Sequence, residues 1–171
     1  VAINVEHFRL DEPYWGADAV PDVKTHGRRE YGNRVGFWRL LDVLDERDVP
    51  ATIVLNSDVC DTQPRVVEEI VERDWPIIAH GTTNSRRLVE MDRETERETI
   101  QRARDRIESF TGEPPAGWMS PGLRASAHTA ELIADAGFSY VCDWCADDQP
   151  FAMGVDDLLS VPYSLDLNDK G

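Results

Sequence analysis

Short apolar runs alternate along this chain with amphipathic stretches, and that alternation restricts the fold more than any other feature. The runs are residues 1–5, 51–56, 76–80, 117–120 and 138–142, and the stretches between them are residues 37–47, 64–73, 94–110 and 127–136. Phe37, Leu40, Leu41 and Leu44 fall on one side of a helix, as do Ile100, Ala103, Ile107 and Phe110. Pro64 suits a first helical turn, where its missing N–H would have no helical partner. Gly112 and Gly137 end the two later helices, and Pro114-Pro115 keeps the longer one from resuming. Strands that alternate with helices form a parallel sheet, either open or closed into a barrel. Residues 11–34, rich in glycine, proline and charge, are expected to form a loop whose length marks it as functional. No repeat, low-complexity tract or linker interrupts the 171 residues, which suffice for one hydrophobic core, so residues 1–171 are expected to be a single domain.

The chemistry gathers at the ends of the apolar runs. In α/β folds the C-terminal strand ends share one face, which would bring Glu6, His7, Asn56, His80, residues 118–121 and Asp143 toward one pocket. His80 closes the run Ile77-Ile78-Ala79 beside Gly81, and its imidazole can carry a proton or bind a metal near neutral pH. A strand-end histidine is equally at home as hydrogen-bonded structure. Asn84, a few residues on, can reach the same point in space. Arg29 and Arg34 present planar sets of donors suited to carbonyl oxygens, or else anchor their loop. Trp118 offers either a flat wall for a ring or core packing, and Asp147 with Asp148 can accept from ring N–H groups or simply form a turn.

Several of these segments together resemble a known family. The opening Val1-Ala2-Ile3-Asn4-Val5-Glu6-His7 is similar to the first strand of NodB-type polysaccharide deacetylases, which ends in two acidic residues, and His80 to Asn84 falls at that family's H-x-x-x-H metal motif. REYGNRVG at 29–36, the HGTTNS run at 80–85, GWMSPG at 117–122, DDQP at 147–150 and Pro162-Tyr163 resemble the allantoinase and cyclic-imide-hydrolase-like branch of that superfamily. The resemblance implies an α/β fold, an incomplete or distorted (β/α) barrel of NodB type. The family's last strands and a late histidine have no counterpart after Tyr163, and the chain starts on a strand without methionine, so it reads as truncated at the C-terminus.

By this resemblance the chain is a hydrolase of non-peptide carbon–nitrogen bonds. Glu6 stands at the catalytic acidic position as general base, with His80 as the proton carrier. His7, Arg29, Arg34, Asn84, Trp118, Asp147 and Asp148 are the expected substrate-binding residues. Where metal-dependent relatives carry Asp-Asp and two histidines, this chain has Glu6-His7, His80 and Asn84. A carboxamide oxygen is a poor zinc ligand, so no cofactor is expected; a divalent metal such as zinc, if held at all, would rest on His7 and His80. Opening of a cyclic amide or ureide, allantoin-like or imide-like, is therefore the leading expectation. N-deacetylation of an amino sugar or polysaccharide is the alternative, and a degenerate barrel that binds a ligand without turnover is the alternative of another class.

Composition narrows the partners. A formal charge of −15 argues against nucleic acid, because phosphates would meet a like-signed field. Among the 18 basic residues only Lys24 and Lys170 are lysines, and many carboxylates with few lysines is the pattern of salt-adapted proteins. Cys60, Cys142 and Cys145 make no disulfide framework, and the C-x-x-C formed by the last two lies on an apolar run, which favours structural thiols. With no signal segment or membrane-length apolar run, the expectation is a cytoplasmic protein, with a homo-oligomer left open and a small cyclic amide or N-acetyl sugar as its substrate.

Overall fold

The computed structural model describes residues 1–13 and 19–164. Its sheet has seven strands: β1 (Ala2–Val5), β2 (Thr52–Leu55), β3 (Ile77–Ala79), β4 (Gly117–Trp118), β5 (Tyr140–Val141), β6 (Phe151–Ala152) and β7 (Leu159–Ser160), in the order β1-β2-β3-β4-β5-β7-β6. All neighbours pair in parallel except β6 and β7, which run antiparallel. The sheet is therefore mostly parallel and not closed, in keeping with an incomplete barrel. The strands are shorter than the apolar runs that contain them, and β6 and β7, two residues each, had no counterpart in the sequence reading.

Helices cover one face of this sheet. They are α1 (Val23–Tyr31), α2 (Phe37–Glu46), α3 (Val59–Thr62), α4 (Pro64–Glu72), α5 (Arg93–Thr111) and α6 (Thr129–Asp135). Phe37, Leu41 and Leu44 of α2, Val66, Val67 and Ile70 of α4, and Ile100, Ala103 and Ile107 of α5 are buried at helical spacing. They join Ile53, Leu55, Ala79, Trp118 and Val141 from the strands in the main core. The alternate strand positions Val54, Ile78, Met119 and Cys142 form a smaller cluster, so the central strands are apolar on both sides, as parallel strands usually are. Gly112, at φ 88°, closes α5 as the sequence implied.

The segment expected to be a long loop is corrected by α1 and the π-helical turn Gly32–Gly36 that continues it. Asp22 caps α1 by accepting from Thr25 N at 3.0 Å, and Arg28 and Arg29 stand in its last turn, where a helix favours positive charge. No residue of α1 is buried, which is why it has no apolar stripe to read. Residues 14–18 of the same segment lie outside the described residues. No helix among the described residues is long and apolar enough to cross a membrane.

Candidate active site at the strand ends

The parallel register of β1, β2 and β3 places Glu6 and His7, Asn56, and His80 just past neighbouring strand ends. Asn56, fully buried, ties them together. Its Oδ1 accepts from His7 N at 2.8 Å, and its Nδ2 donates to the His80 carbonyl and, at 3.4 Å, to Asn84 Oδ1. The His7 carbonyl accepts from Asn84 N at 2.9 Å and from Thr83 Oγ1 at 2.9 Å, which fixes the loop after β3 onto the end of β1. From the π-helical turn, buried Asn33 donates to the Glu6 carbonyl at 2.7 Å. The main chain around Glu6 is thus held from three elements.

His80 is 3 % exposed, and its ring is oriented by the Met119 carbonyl 2.8 Å from Nδ1. A carbonyl only accepts, so Nδ1 carries a proton, and Nε2 faces Glu6. Glu6 Oε1 lies 3.6 Å from that Nε2, slightly beyond direct hydrogen-bond distance. Gly81 permits this approach. Its φ is +65°, and a Cβ there would meet Pro121 Cγ at 2.7 Å. On the far side of Met119, Asp143 accepts from Ser120 N at 2.7 Å and Ser120 Oγ at 2.6 Å. Burial holds the Asp143 carboxyl above the usual range, against the opposing hydrogen bonds from Ser120 and the nearby His80.

Glu6 opens onto a cavity of about 310 Å³. Asn84, Arg29, Phe8 and the Pro121-Gly122 turn line it, with Arg87 and Arg124 at its side. Arg29 lies over the Phe8 ring, 3.8 Å from its centroid, so its guanidinium is held in place by a cation–π contact. Phe8, Arg87 and Arg124 were not among the residues expected from sequence.

Other expectations are corrected. Trp118 is fully buried; it packs edge-on against Phe138 at 5.4 Å and donates from Nε1 to Ser120 Oγ at 3.1 Å, so it is core and no wall for a ligand. Arg34 is exposed on the π-helical turn and does not line the cavity. Asp147 and Asp148 are exposed, and Asp147 Oδ1 accepts from Gln149 N at 3.2 Å, the turn-forming role. His7, adjacent to Glu6, does not line the cavity either. Loss of solvent lowers its pKa, Asp58 and Glu30 oppose that shift, and Arg9 and His26 add to it. Burial pushes Cys60 up to about 11 and Cys142 up to about 12, so both are protonated thiols at neutral pH.

The chain matches the polysaccharide deacetylase family over residues 30–141. The chain belongs to that family. It is 27 % identical over 158 residues to a peptidoglycan deacetylase of Helicobacter pylori, covering 91 % of this chain and 53 % of that protein. Among solved structures it resembles Puue allantoinase, with a TM-score of 0.81 and 29 % identity over 96 % of this chain and 56 % of that one. A probable polysaccharide deacetylase of Pseudomonas aeruginosa PAO1 gives the same figures, a TM-score of 0.81 and 29 % identity over 96 % and 56 %. The chain spans about half the length of the curated relatives it matches.

Polysaccharide deacetylases of this kind generally use a divalent metal, and the donor set here does not fit one in the ordinary way. Among the described residues no three His, Cys, Asp or Glu side chains gather as a metal site. His80 Nε2 faces Glu6, the H-x-x-x-H partner is Asn84 with its Oδ1 turned to Asn56, and His7 stands apart from the cavity. Zinc takes three or four nitrogen, sulfur or carboxylate ligands, and among the described residues no third such side chain joins Glu6 and His80.

Proposed function

We propose that this chain hydrolyses the acetamide of an N-acetylated sugar, with Glu6 and His80 as its acid–base pair. The observation that carries the reading is the 3.6 Å approach of Glu6 Oε1, on the wall of a cavity sized for a sugar ring, to Nε2 of the buried His80 behind it. Glu6 takes a proton from water as the water oxygen bonds to the amide carbon. Asn84 and Arg29, which line the same cavity, supply donors for the negative charge that develops on the carbonyl oxygen. His80, its Nδ1–H anchored on Met119, takes the proton at Nε2 and delivers it to the leaving nitrogen as the C–N bond breaks, giving a free amine and acetic acid, which ionises to acetate in water. The peptidoglycan deacetylase relative and the family match support the acetamide over the cyclic amide that the sequence placed first.

A second reading keeps the same residues and opens a cyclic ureide. The allantoinase likeness over 96 % of the chain and the donor set without a third metal ligand favour it. The test is turnover of N-acetylglucosamine oligomers, allantoin, succinimide and dihydropyrimidines, each with and without chelator. Acetate release that survives the chelator is the expected result. Ring opening without acetate release would move the assignment to the second reading, and loss of all activity with chelator, restored by zinc, would overturn the metal-independent acid–base pair. Binding without turnover of any of these would favour the ligand-binding alternative.

A further inference from the structure

The cavity beside Glu6 has the opposite charge from the molecule that contains it. The chain carries 33 carboxylates against 18 basic side chains, a formal charge of −15, yet among the described residues the cavity is lined by Arg29, Arg87 and Arg124 with Glu6 as its one acidic residue. Several arginines elsewhere are matched to carboxylates: Arg73 with Asp45 and Glu69, Arg106 with Asp61, Arg9 with Asp58 and Glu12. Arg124 belongs to none of the ion pairs among the described residues. Its main chain is nevertheless fixed, with the Arg124 carbonyl accepting from Val89 N at 3.1 Å and Arg124 N donating to the Pro121 carbonyl at 3.3 Å. Among the described residues the one ion pair of Arg87 is with the 60 %-exposed Glu90, at 3.3 Å, a rim pair that water screens.

Clustered guanidinium groups in a concave site focus an attractive field for anions, and in a molecule of net negative charge that field is confined to the site itself. A neutral sugar gains little from it. A carboxylate gains a planar, two-pronged partner that matches its geometry. Resting on the hydrolytic reading above, we infer that the substrate carries a carboxylate, which Arg124 and Arg87 hold while the scissile acetamide lies toward Glu6 and His80. Arg124 and Arg87 are then specificity residues, and Arg29, stacked on Phe8 on the same cavity wall, remains with the carbonyl oxygen.

The experiment compares ligands that differ at one carbon, a carboxylate standing in place of a hydroxymethyl group. Binding of N-acetylglucosaminuronic acid and of N-acetylglucosamine is measured calorimetrically at about 0.1 M and about 0.5 M salt on the Glu6→Gln protein, in which turnover should be slowed by about 10²-fold or more, and acetate release is measured on the unaltered protein. The acid is expected to bind at least about tenfold more tightly at low salt, with the advantage shrinking at high salt. Arg124→Gln should cut that advantage by about tenfold, and Arg87→Gln should reduce it as well. N-acetylglycine is a third ligand that separates the two sources of a carboxylate; binding as tight as that of the sugar acid would place the substrate among N-acyl amino acids. Equal binding of acid and neutral sugar, no binding of either acid, or an advantage untouched in both arginine variants would overturn the inference. Failure of the hydrolytic reading looks different: arginine-dependent binding of the acid with no acetate released from any ligand leaves the carboxylate site standing and removes the deacetylation.

Discussion

Replacing Asn56 by alanine should damage the fold and the site together, because one fully buried amide joins the ends of β1 and β3. The change leaves His7 N, which now donates at 2.8 Å, and the His80 carbonyl without their partner. Each buried group stranded in this way costs about 1 to 3 kcal/mol, and with the small void left behind the loss comes to about 3 to 5 kcal/mol. For a domain of this size about 2 to 4 °C is lost per kcal/mol, so the thermal midpoint should fall by about 6 to 20 °C when followed by circular dichroism. Asn56→Asp makes the argument sharper. Its carboxylate keeps an acceptor for His7 N but sets a second acceptor against the His80 carbonyl and Asn84 Oδ1, so it should be at least as destabilised at pH 7. Protonation restores a donor, so the folded-state pKa of that aspartate is raised above its unfolded value of about 3.9, and part of the lost stability should return as the pH falls toward 5. An Asn56→Ala midpoint within about 2 °C of the unaltered protein, or an Asn56→Asp deficit that ignores pH, would refute the role given to this residue.

Gly81→Ala places a Cβ 2.7 Å from Pro121 Cγ at φ +65°, so it should cost about 2 to 4 kcal/mol in denaturant unfolding and displace the turn that walls the cavity; a change below about 1 kcal/mol would contradict the close approach. His7 titrates below its usual value because burial disfavours its charge. The unfolded chain takes up that proton first, so stability should fall as the pH drops below about 6.5, and His7→Gln should flatten that part of the profile; identical profiles would deny the shift. The charge of −15 predicts that the midpoint rises by several degrees between about 0.1 M and 1 M potassium chloride, through relief of roughly 1 to 2 kcal/mol of repulsion, and a flat or falling midpoint would make the acidic surface mere composition.

What the sequence revealed follows from how each feature is encoded. The central strands and α2, α4, α5 and α6 each bury a local apolar pattern, and local patterns are legible. The exposed helix α1 and the two-residue strands β6 and β7 carry no such pattern, since position and pairing define them. Glu6 and His80 were legible because the motif that names them also puts them at strand ends, and Asn84 because it follows His80 in the loop tied back to His7. Trp118 was misread for a simple reason of period: side chains alternate along a strand, so Trp118 turns into the helix-covered core while its neighbour Met119 turns to the other face. Arg87 and Arg124 reach the cavity from the turn Leu88–Glu90 and the turn Pro121–Leu123, which come together only in three dimensions. In a chain whose basic residues are nearly all arginine, nothing local singles them out.

The central claim is that Glu6 and His80 act as one unit, and a double-mutant cycle on acetate release from an N-acetyl sugar tests it most directly. Glu6→Gln and His80→Gln should each lower kcat by about 10²-fold or more, as expected for loss of a general acid–base group. Residues that act together lose their shared contribution once, so the double variant should be within about threefold of the worse single one. Losses that multiply in full, or near-normal turnover in either single variant, would contradict the account.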